Sequence, residues 1–434
     1  MNKPAPGFPE TFRTFAMIGL QSFGGPAAQI ALMHRVLVDE KKWLAERQFL
    51  GVLSFCMLLP GPEATQLATY AGWRLHGWVG GLIAGLLFVL PGAAFMLLLA
   101  AVYAAYGKVP LVEAAFLGIK AAVLVIVVEA LLRIARRALT LPVHWLIAAL
   151  AFVGIFFLAL PFPLIVLAAA VAGYMMAKSA VPEGQPAAVA VSPARTLATA
   201  AIWLAVWLAP LAAVAVVWGP THVLAAVALF FSKLAVVTFG GAYAVLAYMA
   251  QDVVGQYGWL EPGEMLDGLG LAETTPGPLI LVTEFVGYIA GYRHGGSPQW
   301  LYGLLGALVT LWATFAPCYL WIFVGAPYVE RLIAVPRLKG ALEAITAAVV
   351  GVVLNLSIWF ALHVFFRKVE LIEAGILKLW TPDLPTLDWR VILIAALSAL
   401  LLLWRHWPMA LVLAVAAAAG LLLDGGLLAG DQGS

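Results

Sequence analysis

The sequence predicts an all-α polytopic membrane protein made of two homologous six-segment repeats, with helices broken at FGG and PGP motifs. Three observations carry that expectation. The 434 residues are 64% hydrophobic and only 11% charged, whereas a soluble domain carries about 25% charged residues. Apolar runs recur along the whole chain. Two glycine- and proline-broken motifs occur twice, 216 positions apart.

The apolar runs fall at 78–105, 112–132, 143–160, 162–177, 198–218, 221–250, 300–325, 341–366, 389–404 and 407–423. Most approach the roughly 20 residues that a helix needs to cross a bilayer, and the shortest do so with thinning or snorkelling. Alternating strands of about ten residues are absent, so helices rather than a barrel are expected. The opening stretch MNKPAPGFPETFRTF lacks the basic-then-apolar plan of a cleaved signal peptide, which leaves targeting to the first membrane segment.

The repeats align without a gap over 23–62 and 239–278. Phe23-Gly24-Gly25 meets Phe239-Gly240-Gly241, Trp43-Leu44 meets Trp259-Leu260, and Pro60-Gly61-Pro62 meets Pro276-Gly277-Pro278. Further on, the offset grows to 226, where Gly80 meets Gly306 and Pro91 meets Pro317. The added length falls in RHGGSPQW, 293–300, which reads as a loop insertion. The expected organisation is an N-terminal repeat (1–178), a polar linker with a connecting transmembrane helix (179–219), and a C-terminal repeat (220–434). With six crossings per repeat, that connecting helix makes thirteen crossings and inverts the second copy. The loop 34–48 carries four Lys/Arg and its counterpart 250–264 none, as opposite sides of the membrane require. The Arg133, Arg136 and Arg137 cluster opposes a strict six-crossing count. A re-entrant hairpin over 49–75 accommodates it at the cost of the parity; inversion is the expectation adopted.

Lipid cannot hydrogen-bond the backbone groups that such breaks free, so the breaks are expected to face protein or a water-filled cavity. Paired interruptions at matching places in two halves point to a transporter's binding site. The chemistry they offer is anion binding, because each helix start supplies free N–H groups and about half a positive charge. Pro26 and Pro62 suit a first helical position. Ionisable groups at bilayer depth are costly and ask for a reason. Glu63 directly follows the first Pro-Gly-Pro and Glu273 precedes the second by three residues, making both candidates for proton coupling. Thr274 and Thr275 offer hydroxyl donors, Gln29 an amide, and Lys120 and Lys233 a cation for the substrate. The plainer alternatives are helix caps for the carboxylates and threonines, and snorkelling for the lysines. Glu129, Glu284 and Asn355 are read as structural.

Other classes find little support. A net charge of +2 gives no reason to expect nucleic acid. Cys56 and Cys318 both lie in apolar segments, against a disulfide framework. The seven histidines show no metal-ligand spacing. No P-loop, nucleophile elbow or CxxC occurs, so no enzyme, metal or other cofactor is expected and a gradient must drive transport.

In the stretches FGGPAAQIALMHR, SFCMLLPGPEATQLATYAGW and GWLEPGEMLDGLGLAETTPGPLI, the chain closely resembles the chromate ion transporter family in its long, two-domain form. The resemblance covers nearly the whole length. It implies a multi-pass carrier of the inner (plasma) membrane, working as an antiporter, that exports chromate and confers chromate resistance. Sulfate, another tetrahedral dianion, is the competing substrate, and a homodimer is compatible with this reading. The family motifs carry over to Phe23, Gly24, Gly25, Pro26, Pro60, Gly61, Pro62 and Glu63, and to Phe239, Gly240, Gly241, Glu273, Pro276, Gly277 and Pro278. Many relatives have histidine where this chain has Gln29, and Ala242 replaces the proline that follows FGG in the first copy.

Overall fold

The computed structural model describes residues 6–177, 192–239, 242–332, 335–375 and 377–430. Gly240, Gly241 and most of the polar linker lie outside the described residues. The helices are, in order, α1 (Phe8–Gln21), α2 (Gly25–His34), α3 (Glu46–Leu58), α4 (Glu63–Tyr106), α5 (Pro110–Ala138), α6 (Pro142–Phe156), α7 (Phe162–Met176) and α8 (Pro193–Trp218). There follow α9 (Val223–Val237), α10 (Ala242–Ala250), α11 (Pro262–Thr274), α12 (Val282–His294), α13 (Gln299–Gly325), α14 (Val329–Leu332), α15 (Pro336–Phe365), α16 (Trp389–Ala399) and α17 (Met409–Gly430). Proline stands in the first turn of α1, α2, α5, α6 and α8, where its missing N–H leaves no hydrogen bond unmade. The runs Glu63–Tyr106, Pro110–Ala138, Pro193–Trp218, Gln299–Tyr328 and Pro336–Phe365 are long and apolar enough to cross a membrane.

The two halves run element for element. α3 and α11 have the same length at the 216-residue offset, and so do the π-helical turns Arg35–Glu40 and Gln251–Gln256. α5 and α15 start 226 residues apart, at Pro110 and Pro336. Within α4 the backbone leaves helical geometry at His76 and Gly77, where φ is +64°. A Cβ added to Gly72 would stand 2.2 Å from the Gly80 carbonyl oxygen, so the chain doubles back there as a helical hairpin. Its first arm, Glu63–His76, is only about 21 Å long, too short to cross roughly 30 Å of hydrocarbon alone. In the second half α12 and α13 form the same hairpin as separate helices, with the turn in the longer loop around Gly295 and Gly296.

One feature departs from the all-helical expectation. Val369–Ala374 and Leu377–Pro382 pair as an antiparallel hairpin between α15 and α16. The stretch VELIEAGILKLWTP has a strand-like distribution of β-branched and aromatic residues. Gly375, at φ +67°, supplies the turn between the strands.

Contacts divide the chain into two compact units, residues 1–98, 171–245 and 275–342 in one, and 99–170, 246–274 and 343–434 in the other. Each draws on both halves of the chain. In the first unit α12 and α13 meet backbone to backbone: a Cβ on Gly291 would stand 2.1 Å from the Tyr302 carbonyl oxygen, and one on Gly306 2.1 Å from that of Gly287. Small residues permit such close approach, and dispersion then replaces the hydrophobic drive that lipid does not supply. The Trp207 indole N–H of α8 donates to the Ala313 carbonyl of α13 at 3.2 Å. In the second unit α5 lies equally close to α17, where a Cβ on Gly118 would fall 1.8 Å from the Ala416 oxygen. Gly118→Ala is expected to separate these helices and cost about 3 kcal/mol, read as a lowered melting temperature in detergent.

Candidate functional site

The first unit contains the glycine and proline breaks of both halves, and their geometry is reciprocal. The Gly61 N–H donates to the Thr238 carbonyl at 3.0 Å, and the Gly277 N–H donates to the Ser22 carbonyl at 2.8 Å. The two bonds join equivalent positions, Gly277 lying 216 residues after Gly61 and Thr238 lying 216 residues after Ser22. The Pro-Gly-Pro turn of each half is thus tied to the residue just before the FGG break of the other. The hydroxyls repeat as well, Ser22 donating to Ile18 and Thr238 to Leu234 within their own helices. The four φ angles Gly24 +86°, Gly25 +78°, Gly61 +108° and Gly277 +87° lie where a side chain is strained. They explain why glycine stands at these positions.

Around these ties four helical runs begin: α2 at Gly25, α4 at Glu63, α10 at Ala242, and a 3₁₀ turn at Leu279 that continues into α12. Their first residues line one small, partly open cavity of about 20 Å³, bounded by Pro26, Gln29, Pro62, Glu63, Ala64, Ala242, Pro278, Leu279 and Ile280. Eight of those nine form four pairs at the 216-residue offset: Pro26 with Ala242, Pro62 with Pro278, Glu63 with Leu279, and Ala64 with Ile280. The cavity therefore lies where equivalent segments of the two halves meet. Helix starts leave N–H groups without intrahelical partners and carry partial positive charge. The walls between them are mostly apolar.

Two side chains break the symmetry. Glu63 faces Leu279 as its counterpart. Gln29, 1% exposed, corresponds to Val245; its amide N–H donates to the Gly277 carbonyl at 2.6 Å and reaches that of Ser22 at 3.5 Å. Its Oε1 is buried without a hydrogen-bond partner. Gln66 plays a matching local part, its amide donating to the Pro60 carbonyl at 2.7 Å and closing the first Pro-Gly-Pro turn.

The sequence-predicted residues separate accordingly. Pro26, Gln29, Pro62, Glu63 and Pro278 line the cavity. Gly24, Gly25, Pro60, Gly61, Pro276 and Gly277 build the turns beside it. Phe23 is 50% exposed and Phe239 half-buried. Thr274 is exposed and returns its hydroxyl to the Leu271 carbonyl of its own helix, while Thr275 is buried. Lys233 is exposed on α9. Lys120 and Glu273 belong to the second unit, Glu273 buried in the last turn of α11 and Lys120 paired with Asp267 at 3.4 Å. Ala64, Leu279, Ile280, Ser22 and Thr238 are not among the site residues expected from the sequence, and Ala242 enters there only as the replacement of a proline. The 216-residue offset is the signal that would have found them. Among the described residues no group of three or more His, Cys, Asp or Glu is arranged to hold a metal.

Comparison with known proteins shows the family. The family model described as chromate transporter matches residues 9–174 and 225–421. The chain belongs to the chromate transporter family. The family match falls in two segments, one in each half. The chromate transport protein of Pseudomonas aeruginosa is 35% identical over 361 residues, covering 81% of this chain and 80% of that one. The probable chromate transport protein of Synechococcus elongatus is 28% identical over 81% of this chain and 84% of its own. An uncharacterized transporter of Methanocaldococcus jannaschii is 26% identical over 95% of this chain and 93% of its own. No solved structure matches. The chain is a multi-pass membrane transporter, not an enzyme.

Proposed function

We propose that this member of the family is a secondary carrier that exports chromate across the plasma (inner) membrane. The transport site is the cavity where the four helix starts meet, and the protein confers chromate resistance through it. The observation that carries this reading is the paired lining, four helix starts from two halves around one small space. At about half a positive charge each, four termini supply roughly two charges, the complement of a dianion. Their N–H groups replace the water that a tetrahedral oxyanion sheds. The names of the relatives supply the substrate. The two repeats, 1–178 and 220–434, are inverted about this cavity with 179–219 between them, a reading supported by the reciprocal Gly61–Thr238 and Gly277–Ser22 hydrogen bonds and by the contrast in loop charge. A potential that is negative inside drives a dianion outward, at about 2.3 kcal/mol per charge per 100 mV, or about 4.6 for both.

Glu63 sets the pH dependence. Two unit charges about 5 Å apart repel by roughly 3 kcal/mol at an effective dielectric of 20, and a dianion doubles that. A proton taken up by Glu63 as the anion enters removes the cost, and the unpartnered Gln29 Oε1 beside it is an acceptor waiting for a proton donor. Acid should therefore tighten chromate binding in the natural protein. Glu63→Gln should bind at alkaline pH about as tightly as the natural protein does in acid, giving a flat profile; an unaltered profile would remove Glu63 from the mechanism. The founding test is labelled chromate flux into liposomes holding the purified protein, with sulfate as competitor and with or without a pH gradient. Saturable chromate flux supports the reading. Flux that requires sulfate on the opposite side makes the carrier an anion exchanger. Sulfate flux without chromate flux overturns the substrate.

A further inference from the structure

In the second unit a charged cluster lies apart from any role assigned above. Asp267 of α11 is 3% exposed. Its Oδ2 accepts from the Tyr103 hydroxyl at 2.7 Å and pairs with the Lys120 ammonium of α5 at 3.4 Å. Its Oδ1 is equally buried and has no hydrogen-bond partner. Gly263, one turn earlier on α11, makes room for the cation, since a Cβ there would stand 3.1 Å from Lys120 Nζ.

A purely structural ion pair in a low-dielectric interior persists when both partners are fully satisfied, and otherwise costs more than an apolar substitute. This pair leaves one carboxylate oxygen bare. It is also uneven, for the Lys120 side chain retains 27% exposure and that of Asp267 only 4%. Lys120 can therefore withdraw toward the surface, and Asp267 cannot follow. Asp267 has two stable conditions: charged and paired with Lys120, or neutral with a proton filling its empty oxygen and Lys120 released. Further charged groups lie on α11 and on the helices packed against it, α5 and α17, among them Glu273 of α11 and Glu113 of α5. On α11 Glu264 is occupied in accepting the Glu261 backbone N–H. On α5 Glu129 and Arg133 pair with each other. On α17 Asp424 pairs with Arg390.

We propose that Asp267 is a proton-binding site of the transport cycle, with Lys120 as the built-in cation that takes the proton's place when it leaves. One proton binds the carboxylate, the ammonium keeps its own, and the site changes by one positive charge. Asp267 stands eleven residues before Pro278 in the chain, so the helix that carries it leads directly into the second Pro-Gly-Pro turn. The inference rests on the transport reading and extends it to the coupling ion.

The test uses the full-length protein in liposomes with a trapped pH dye, measuring proton and chromate movement together, and purified protein for infrared titration of protonated carboxyl groups. Asp267→Asn should move chromate with about one proton fewer per cycle than the natural protein, the proton taken up at Glu63 being unaffected. Lys120→Met should extend proton-coupled flux to more alkaline pH by about one unit, since a nearby opposite charge competes with the proton. The carboxylic-acid band lost in Asp267→Asn should appear in the natural protein as the pH falls. An unchanged proton-to-chromate ratio in Asp267→Asn overturns the proposal and leaves the transport reading intact. If the natural protein moves no chromate, that reading fails and the infrared band decides this one: a band missing from both proteins overturns it.

Discussion

Gly277→Ala should reduce chromate flux about a hundredfold while the protein still reaches the membrane. The backbone at this position has φ +87°, a region that costs a residue with a Cβ about 1–2 kcal/mol. The new methyl would also stand 3.1 Å from Leu281 Cδ1 and 3.4 Å from Gly92 Cα, and the Gly92 backbone cannot retreat as a flexible side chain would. Relief requires the turn to move. Movement loosens both hydrogen bonds that the turn makes, the Gly277 N–H to Ser22 and the Gln29 amide to the Gly277 carbonyl. An unpaired buried amide costs about 1–3 kcal/mol more. A total near 2.8 kcal/mol corresponds to about a hundredfold. Gly61→Ala should behave alike, its φ being +108° and its Cβ 3.2 Å from Gln66 Nε2. Gly255→Ala is the control, since a Cβ there meets nothing within 4 Å. Flux per molecule of membrane-inserted protein decides the matter.

Leu279→Glu should abolish chromate binding at neutral pH and leave Leu279→Gln with most of it. Leu279 occupies in the second half the place that Glu63 holds in the first, so the substitution gives the cavity a second carboxylate. Against a dianion about 5 Å away the added charge is worth roughly 6–7 kcal/mol at an effective dielectric of 20. The glutamine has the same shape and no charge, which separates electrostatics from crowding. Acidification should restore part of the binding to Leu279→Glu. Equal losses in both variants would show that the cavity wall matters by shape alone.

How much of this was legible beforehand follows from what each signal measures. Composition and long apolar runs report burial in lipid, and they suffice for a helical membrane chain. The repeated motifs report backbone constraint, and Gly25, Gly61 and Gly277 do occupy conformations in which only glycine is unstrained. The 216-residue offset also foretold which residues are equivalent. It could not foretell that Gly61 would bond to Thr238 rather than to its own half, because a hydrogen bond across halves leaves no periodicity. Lys120 shows the opposite failure. A lone lysine in an apolar helix advertised an interaction, yet nothing in the sequence distinguished an anion from Asp267, 147 residues away, as its partner. The hairpin at 369–382 lies in the gap between the apolar runs 341–366 and 389–404, where a reading built on membrane-length apolar segments has no signal.

The reciprocal ties also bear on how the protein is made. Within its own half the Ser22 carbonyl is reached only by the Gln29 amide, at 3.5 Å; its short bond comes from Gly277, 255 residues later in the chain. At about 5–20 residues per second, roughly 13 to 51 seconds of synthesis separate the two. During that interval the first glycine break sits in or near the bilayer with a carbonyl held by one long hydrogen bond, which lipid cannot supplement. The N-terminal half must therefore be sheltered, by water, by the insertion machinery or by staying shallow, until the second half emerges. Biogenesis of this carrier is accordingly a late, whole-chain event, and a nascent chain stalled before its second Pro-Gly-Pro is a natural target for membrane quality control.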